Sequence, residues 1–215
     1  MKDYYWGSEG EQIEIPFGEK EKQAKVQIPY ENSTESDFNL VETVNNRIYY
    51  YSMVSRPRIL KLNKAIQNLN NHIECRSTMF GCSSTPIRLH INSYGGSVFA
   101  GLAAVDYIKT SKAPIETVIE GCAASAATLM SVVATHRSMH RNACMLIHQL
   151  SGHMWGKFEE MKDDMKNSEM LMKKIKAIYT EHCRIPEKVL EDILKRDIWW
   201  DAETCLKYGL VDEIL

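Results

Sequence analysis

Two short turns constrain this chain more than anything else in it. Ser93-Tyr94-Gly95-Gly96-Ser97 and Gly121-Cys122-Ala123-Ala124-Ser125-Ala126-Ala127 each follow a β-rich run and each open a helical run. PIRLHIN (86–92) alternates apolar residues as a strand does, and SVFAGLAAVDYIKTS (97–111) places apolar residues at 98, 99, 102, 105 and 108. PIETVIEG (114–121) is a second strand, and ASAATLMSVVATH (124–136) reads as a helix rich in small residues. RIYYYSMV (47–54) and ACMLIHQ (143–149) add two further strands. Between them PRILKLNKAIQNLNNHI (57–73) carries a helical stripe at 59, 60, 62, 66, 69 and 73, and CRSTMFGCSST (75–85) reads as a loop. Strands alternating with helices imply an α/β fold of βαβ units.

The C-terminal part is mostly helical. In KFEEMKDDMKNSEMLMKKIKAIYTEHC (157–183), Phe158, Met161, Met165, Met172, Ile175 and Tyr179 form one apolar stripe on a charged helix. IPEKVLEDILKR (185–196) is a helix with Pro186 suited to its first turn, AETCLKYG (202–209) ends at a glycine, and LVDEIL closes as a strand. Residues 1–45 stand apart as an acidic arm. Their first 40 residues hold nine acidic side chains against four lysines, and the strand-like pieces QIEIPF and VQIPY each contain a proline.

Composition removes several function classes. With 215 residues the chain has the length of one domain with an appendage. Lys plus Arg is 26 against 28 Asp plus Glu, so no basic excess exists to neutralise a nucleic-acid backbone. No apolar run approaches the roughly 20 residues of a membrane helix, and the N-terminal stretch lacks the apolar core of a signal peptide. Six cysteines at 75, 82, 122, 144, 183 and 205 form no CxxC pair. That spacing fits neither a zinc site nor a disulfide framework and points to thiols in a reducing cytoplasm.

The two turns are also where chemistry would sit. Adjacent glycines before a helix expose backbone N–H groups that suit an oxyanion, although a plain turn explains them as well. Small residues around Ser125 leave room for a carbonyl to approach its hydroxyl, with the Ala126 N–H facing the carbonyl oxygen. The plainer reading is an N-cap serine. A serine needs a base. His148 ends a strand 23 residues later, and a strand–helix–strand step would return it to the same sheet edge. Asp192, Asp197 and Asp201 all lie where a carboxylate orienting that imidazole could come from, and spacing does not choose among them.

Taken together, INSYGGSVFAGLAAVDYI, IEGCAASAATL, MLIHQ, LKRDIWWDA and LKYGLVDEIL resemble, in order and over about residues 47–215, the ClpP family, the proteolytic subunit of the Clp serine proteases. The resemblance implies a ClpP/crotonase-like superhelix of βαβ units, with a head over 46–156 and 184–215, a handle helix over 157–183, and an N-terminal axial-loop segment. It implies a serine endopeptidase that cleaves unfolded proteins or peptides through an acyl-enzyme, with Ser125 as nucleophile, His148 as base and Asp197 as the orienting acid. Gly96 and Ala126 would form the oxyanion hole. It implies no metal or organic cofactor, a cytoplasmic homo-oligomer of two stacked heptameric rings, and an AAA+ unfoldase that spends the ATP, since no GxxxxGK[ST] loop occurs here.

The sequence departs from the family at defined places. HQP is HQL here, with Leu150. Arg88 and His90 stand where tyrosines usually line the outer pocket for ATPase loops, and Thr110 replaces a common aromatic. A groove of that kind would grip an apolar loop poorly. The acidic arm would disfavour acidic substrates if it lined a pore mouth. Other readings to separate are a non-catalytic or partner-activated ring subunit, a dedicated maturation protease, and a CoA-thioester enzyme of the crotonase type, which would use carboxylates rather than a Ser–His pair.

Overall fold

The computed structural model describes residues 41–81, 85–152 and 155–215. The arm lies outside the described residues except at its end, where Val41–Val44 form β1 and pair antiparallel with β2 (Arg47–Tyr50). Asn45 turns this hairpin with φ 56, a left-handed conformation that asparagine tolerates better than most residues. The further pairing between strands is parallel. β3 (Ile87–Ser93), β4 (Ile115–Ala124), β5 (His136–Met139) and β7 (Glu213–Ile214) complete the order β1-β2-β3-β4-β5-β7. β6 (Cys144–Leu146) pairs with the C-terminal end of β4. The result is the expected α/β class, a mixed sheet with helices, two of them 25 residues long.

α1 (Arg56–Phe80) buries Ile59, Leu62, Ile66 and Leu69, the stripe read from the sequence, while Leu60 faces out. The helix continues seven residues past the expected end at 73, into the stretch read as a loop. No glycine or proline interrupts CRSTMF, and the first residue that can stop it, Gly81, does so with φ 63 and an N–H bond to the Ser77 carbonyl (2.9 Å). α2 (Val98–Lys109) buries Val98, Ala104, Val105 and Ile108, whereas Phe99 is exposed. It lies so close to α3 (Ala126–Val132) that a Cβ on Gly101 would come 3.1 Å from the Ala126 Cβ.

α3 is shorter than the helix expected over 124–136. Its last residues give way to β5, which takes the free edge of β4 with Glu116 opposite His136 and Ile119 opposite Met139. The strand expected over 143–149 shrinks to β6 for the same kind of reason. Beyond Leu146 the chain meets not β4 but the segment before Trp200. α5 (Glu187–Ile193) and α6 (Ala202–Lys207) follow α4 (Phe158–His182).

The stripe of α4 divides in two. Ile175 and Tyr179 are fully buried in the domain's own core with Leu171, and Met172 packs against it. Phe158, Met161 and Met165 remain exposed. Among the described residues no helix is long and apolar enough to cross a membrane.

Candidate active site

β4 runs straight into α3 through Ser125, whose backbone sits at φ 60 and ψ −130. A positive φ on a non-glycine residue is strained. Such a sharp strand-to-helix corner is how a side chain is held clear of the backbone at the top of a sheet. The corner is fastened on both sides. The Ser125 N–H donates to the Leu146 carbonyl on β6 (2.8 Å). Its own carbonyl accepts from the Thr128 N–H (3.0 Å) and the Thr128 hydroxyl (2.6 Å). Thr128 Oγ1 in turn lies 2.5 Å from the hydroxyl of Tyr179 on α4. The residue is 2% exposed, and its hydroxyl has no hydrogen-bond partner among the described residues.

The glycine turn after β3 packs directly on this corner. A Cβ on Gly95 would stand 2.6 Å from the Ser125 Cβ and 3.0 Å from its Oγ, so only glycine allows the approach. Gly96, at φ 143, lies against Val54, where a Cβ would meet the carbonyl oxygen at 2.4 Å. Val54 holds the turn through N–H to the Gly95 carbonyl (2.7 Å) and by accepting from the Ser97 N–H (2.8 Å). The Gly95 N–H donates to Ser93 Oγ (3.1 Å). These bonds engage the N–H groups on either side of Gly96 and not its own. Ala126 is the first residue of α3, so its N–H has no carbonyl one turn earlier to bond.

His148 follows β6 by two residues. Its Nδ1 lies 2.7 Å from Asp197 Oδ1. A carboxylate only accepts, so Nδ1 carries a proton, and in the neutral ring the lone pair then lies on Nε2, the tautomer a general base requires. The loop bearing Asp197 is laced alongside β6 and its extension. Met145 and Trp200 exchange N–H bonds (2.9 and 2.7 Å), and the Gln149 N–H donates to the Leu194 carbonyl (2.6 Å). The two other aspartates that spacing left open are engaged elsewhere. Asp192 pairs with Arg196 (3.2 Å), and Asp201 caps α6 by accepting from the Thr204 N–H (2.9 Å). The Ser125–His148 bond itself is open, since Ser125 Oγ has no partner.

The outer end of the sheet carries a polar cluster that sequence reasoning saw only in part. Arg88 pairs with Glu116 (3.2 Å). His90, 8% exposed, stacks on Tyr49 (centroids 4.6 Å) and places Nδ1 2.7 Å from Glu120 Oε1. Glu120 also accepts from the Tyr51 hydroxyl, and His140 Nε2 is 3.5 Å away. Burial pushes the Glu120 carboxyl up, but the Tyr51 and His90 hydrogen bonds and the nearby histidines hold it below its ordinary value. Burial, then Glu120, pushes Tyr51 up to about 12. Glu120 was the missed residue. The register offered a signal, because His90 opposes Val118 and Glu120 is its diagonal neighbour. Thr110 ends α2 and bonds back to the Asp106 carbonyl (2.8 Å). Among the described residues no cluster of His, Cys, Asp and Glu could hold a metal ion.

Comparison with known proteins follows the same outline. A family model described as Clp protease matches residues 43–215. The ATP-dependent Clp protease proteolytic subunit of Streptococcus mutans is 34% identical over 172 residues, covering 77% of this chain and 88% of that protein. Among solved structures, a point mutant of ClpP1 from Listeria monocytogenes superposes with a TM-score of 0.65 at 25% identity. The match spans 76% of this chain and 86% of that one.

Proposed function

The chain belongs to the Clp protease family, and from that premise we propose that it is a serine endopeptidase working through Ser125, His148 and Asp197. The observation that carries this reading is the His148–Asp197 pair, whose histidine lies two residues beyond the Leu146 carbonyl that accepts from the N–H of a serine bent to φ 60. Ser125 attacks the peptide carbonyl as His148 Nε2 takes its proton. Asp197 stabilises the imidazolium through Nδ1. The N–H groups of Gly96 and Ala126 receive the developing oxyanion, each such donor being worth about 10²–10³ in rate. His148 then protonates the leaving amine, and water releases the acyl group from Ser125.

Assembly and partners extend the proposal. The exposed Phe158, Met161 and Met165 on α4 suit burial between subunits of stacked rings. The outer cluster of Arg88, His90 and Glu120 is a polar seat, so an unfoldase docking there would present polar rather than purely apolar contacts. Any ATP is spent by that partner, and the cytoplasmic placement expected from cysteine usage goes with this reading. A dedicated maturation protease would use the same chemistry on one substrate.

The open Ser125–His148 contact favours a second reading, a ring subunit activated only on assembly or by a partner. One experiment separates the two. The purified protein is treated with a fluorophosphonate probe and weighed intact beside Ser125→Ala. One adduct on the wild type and none on the variant supports an aligned triad. No adduct on a folded, assembled wild type overturns the self-sufficient enzyme in favour of the partner-activated subunit.

A further inference from the structure

Ser125 and His148 are delivered by two adjacent strands, and those strands share a second feature. The parallel register of β4 and β6 sets Cys122 directly opposite Cys144. Neighbouring strands lie about 4.8 Å apart, within the roughly 4.4–6.8 Å between Cα atoms that a disulfide accepts. Facing residues of a parallel pair send their side chains to the same side of the sheet. Both cysteines are half-buried rather than sealed, and both are free thiols. Cys122 Sγ donates weakly to Asn92 Oδ1 at 3.5 Å. Burial pushes the Cys122 thiol up, a Ser93 backbone bond opposes this, and the neighbouring Cys144 adds to the rise. Cys122 precedes Ser125 by three residues and Cys144 precedes His148 by four.

We propose that Cys122 and Cys144 close a reversible disulfide, a redox-controlled clamp across the strands that present Ser125 and His148. The bond stands on the register alone; its effect on activity rests on the reading of Ser125 as nucleophile. The oxidant is a small-molecule disulfide. One cysteine thiolate attacks it, forming a mixed disulfide and expelling one thiolate. The second cysteine then attacks the protein sulfur of that mixed disulfide and expels the other. Two protein thiols are oxidised, one external disulfide is reduced to two thiols, and the two protons go to the expelled thiolates. The closed bond fixes the two Cβ atoms about 3.8 Å apart and the dihedral across S–S at roughly ±90°, a geometry the reduced pair need not hold. Closure therefore shifts β4 against β6 locally and skews the ends that carry the serine and the histidine.

The test uses the full chain with glutathione disulfide. Remaining thiols are alkylated, and the products are read by intact mass and by non-reducing peptide mapping. The expected product has lost two hydrogens and links the Cys122 peptide to the Cys144 peptide. Its fluorophosphonate labelling rate falls by about ten- to a hundredfold, the cost of a small misplacement, and returns with a dithiol reductant. Cys144→Ser, which cannot close the bond, keeps the reduced wild-type rate with or without oxidant. A stable glutathione adduct with no internal bond, or a link through Cys205 or Cys75 instead, overturns the proposal. A Cys122–Cys144 bond that leaves labelling unchanged overturns the clamp and leaves the nucleophile reading intact. If reduced wild type is not labelled at all, the failure lies with that reading, and peptide mapping alone decides the bond.

Discussion

Ser125 and Asp197 stand at the two ends of one proposed relay, and the fold holds them in opposite ways. Ser125 is 2% exposed, strained at φ 60, and walled by a glycine turn with no space for one more carbon. Asp197 has a side chain 79% exposed and is placed by backbone bonds that flank it on both sides, Leu194 to Gln149 and Trp200 to Met145. Position at the serine is set by close packing, so an added atom is felt by the whole domain. Position at the aspartate is set by its neighbours' backbone, so its own side chain can change with little effect on the fold. Changes that remove an atom should therefore separate activity from stability at both ends, whereas changes that add one are tolerated by the fold only at the aspartate.

The strongest test is Ser125→Ala, which should lower kcat by about 10⁶ while circular dichroism stays native. Residual turnover near wild type would remove the serine from the chemistry. Next is Asp197→Asn, which turns the imidazole to the wrong tautomer and should cost about 10⁴ in kcat. Its melting temperature should stay within about 2 °C, as for an exposed substitution of under 0.5 kcal/mol. A large thermal loss here would break the contrast, because it would make Asp197 a structural anchor.

Gly96→Ala probes the packed end. Its new Cβ would meet the Val54 carbonyl at 2.4 Å on a backbone at φ 143, and about 3 kcal/mol or more of stability should be lost. That corresponds to a fall of about 6–12 °C in Tm. A native Tm would show that the glycine turn yields, and that packing does not fix this end after all.

The smallest expected effect concerns a third way of holding chain, by charge. Arg137 bonds the His182 and Gly209 carbonyls (2.6 and 2.9 Å) and pairs with Asp212 (2.6 Å), tying β5 to the C-terminal segment. The Arg137 hydrogen bonds, against a smaller effect of burial, hold the Asp212 carboxyl below its ordinary value. A lowered folded pKa contributes stability above the unfolded value of about 3.9 and loses it as pH falls through the folded value. Asp212→Asn should thus cost about 1–2 kcal/mol at pH 7 and progressively less as pH falls below about 3.9, measured by denaturant titration. A cost that does not fall with pH would exclude the charge as its origin.

Periodicity made the buried elements legible. The stripe of α1 and the strands β3 and β4 follow from residues whose spacing matches one side of a helix or sheet. It failed where a partner decides. HRSM has no strand pattern, yet it becomes β5 because β4 has an edge to fill. MLIHQ reads as strand throughout, yet stops at Leu146 because the next neighbour is an irregular loop. The same limit applied to the site. Ser125 and His148 could be picked from local context, but Asp192, Asp197 and Asp201 were equivalent by spacing. They separate only through the partners that the fold supplies, Arg196, His148 and the Thr204 N–H. Cys122 and Cys144, 22 residues apart, could not be seen as neighbours without the register.

The long helix α4 is a cantilever. Its C-terminal half is built into the wall by Leu171, Ile175 and Tyr179, while Phe158, Met161 and Met165 overhang, with Asp164 buried among them. A load applied at the overhang is reacted at the root, and the root ends on Tyr179, whose hydroxyl touches Thr128 and through it the Ser125 carbonyl. The helix that carries the exposed stripe and the strained corner that holds the serine are thus joined by two hydrogen bonds.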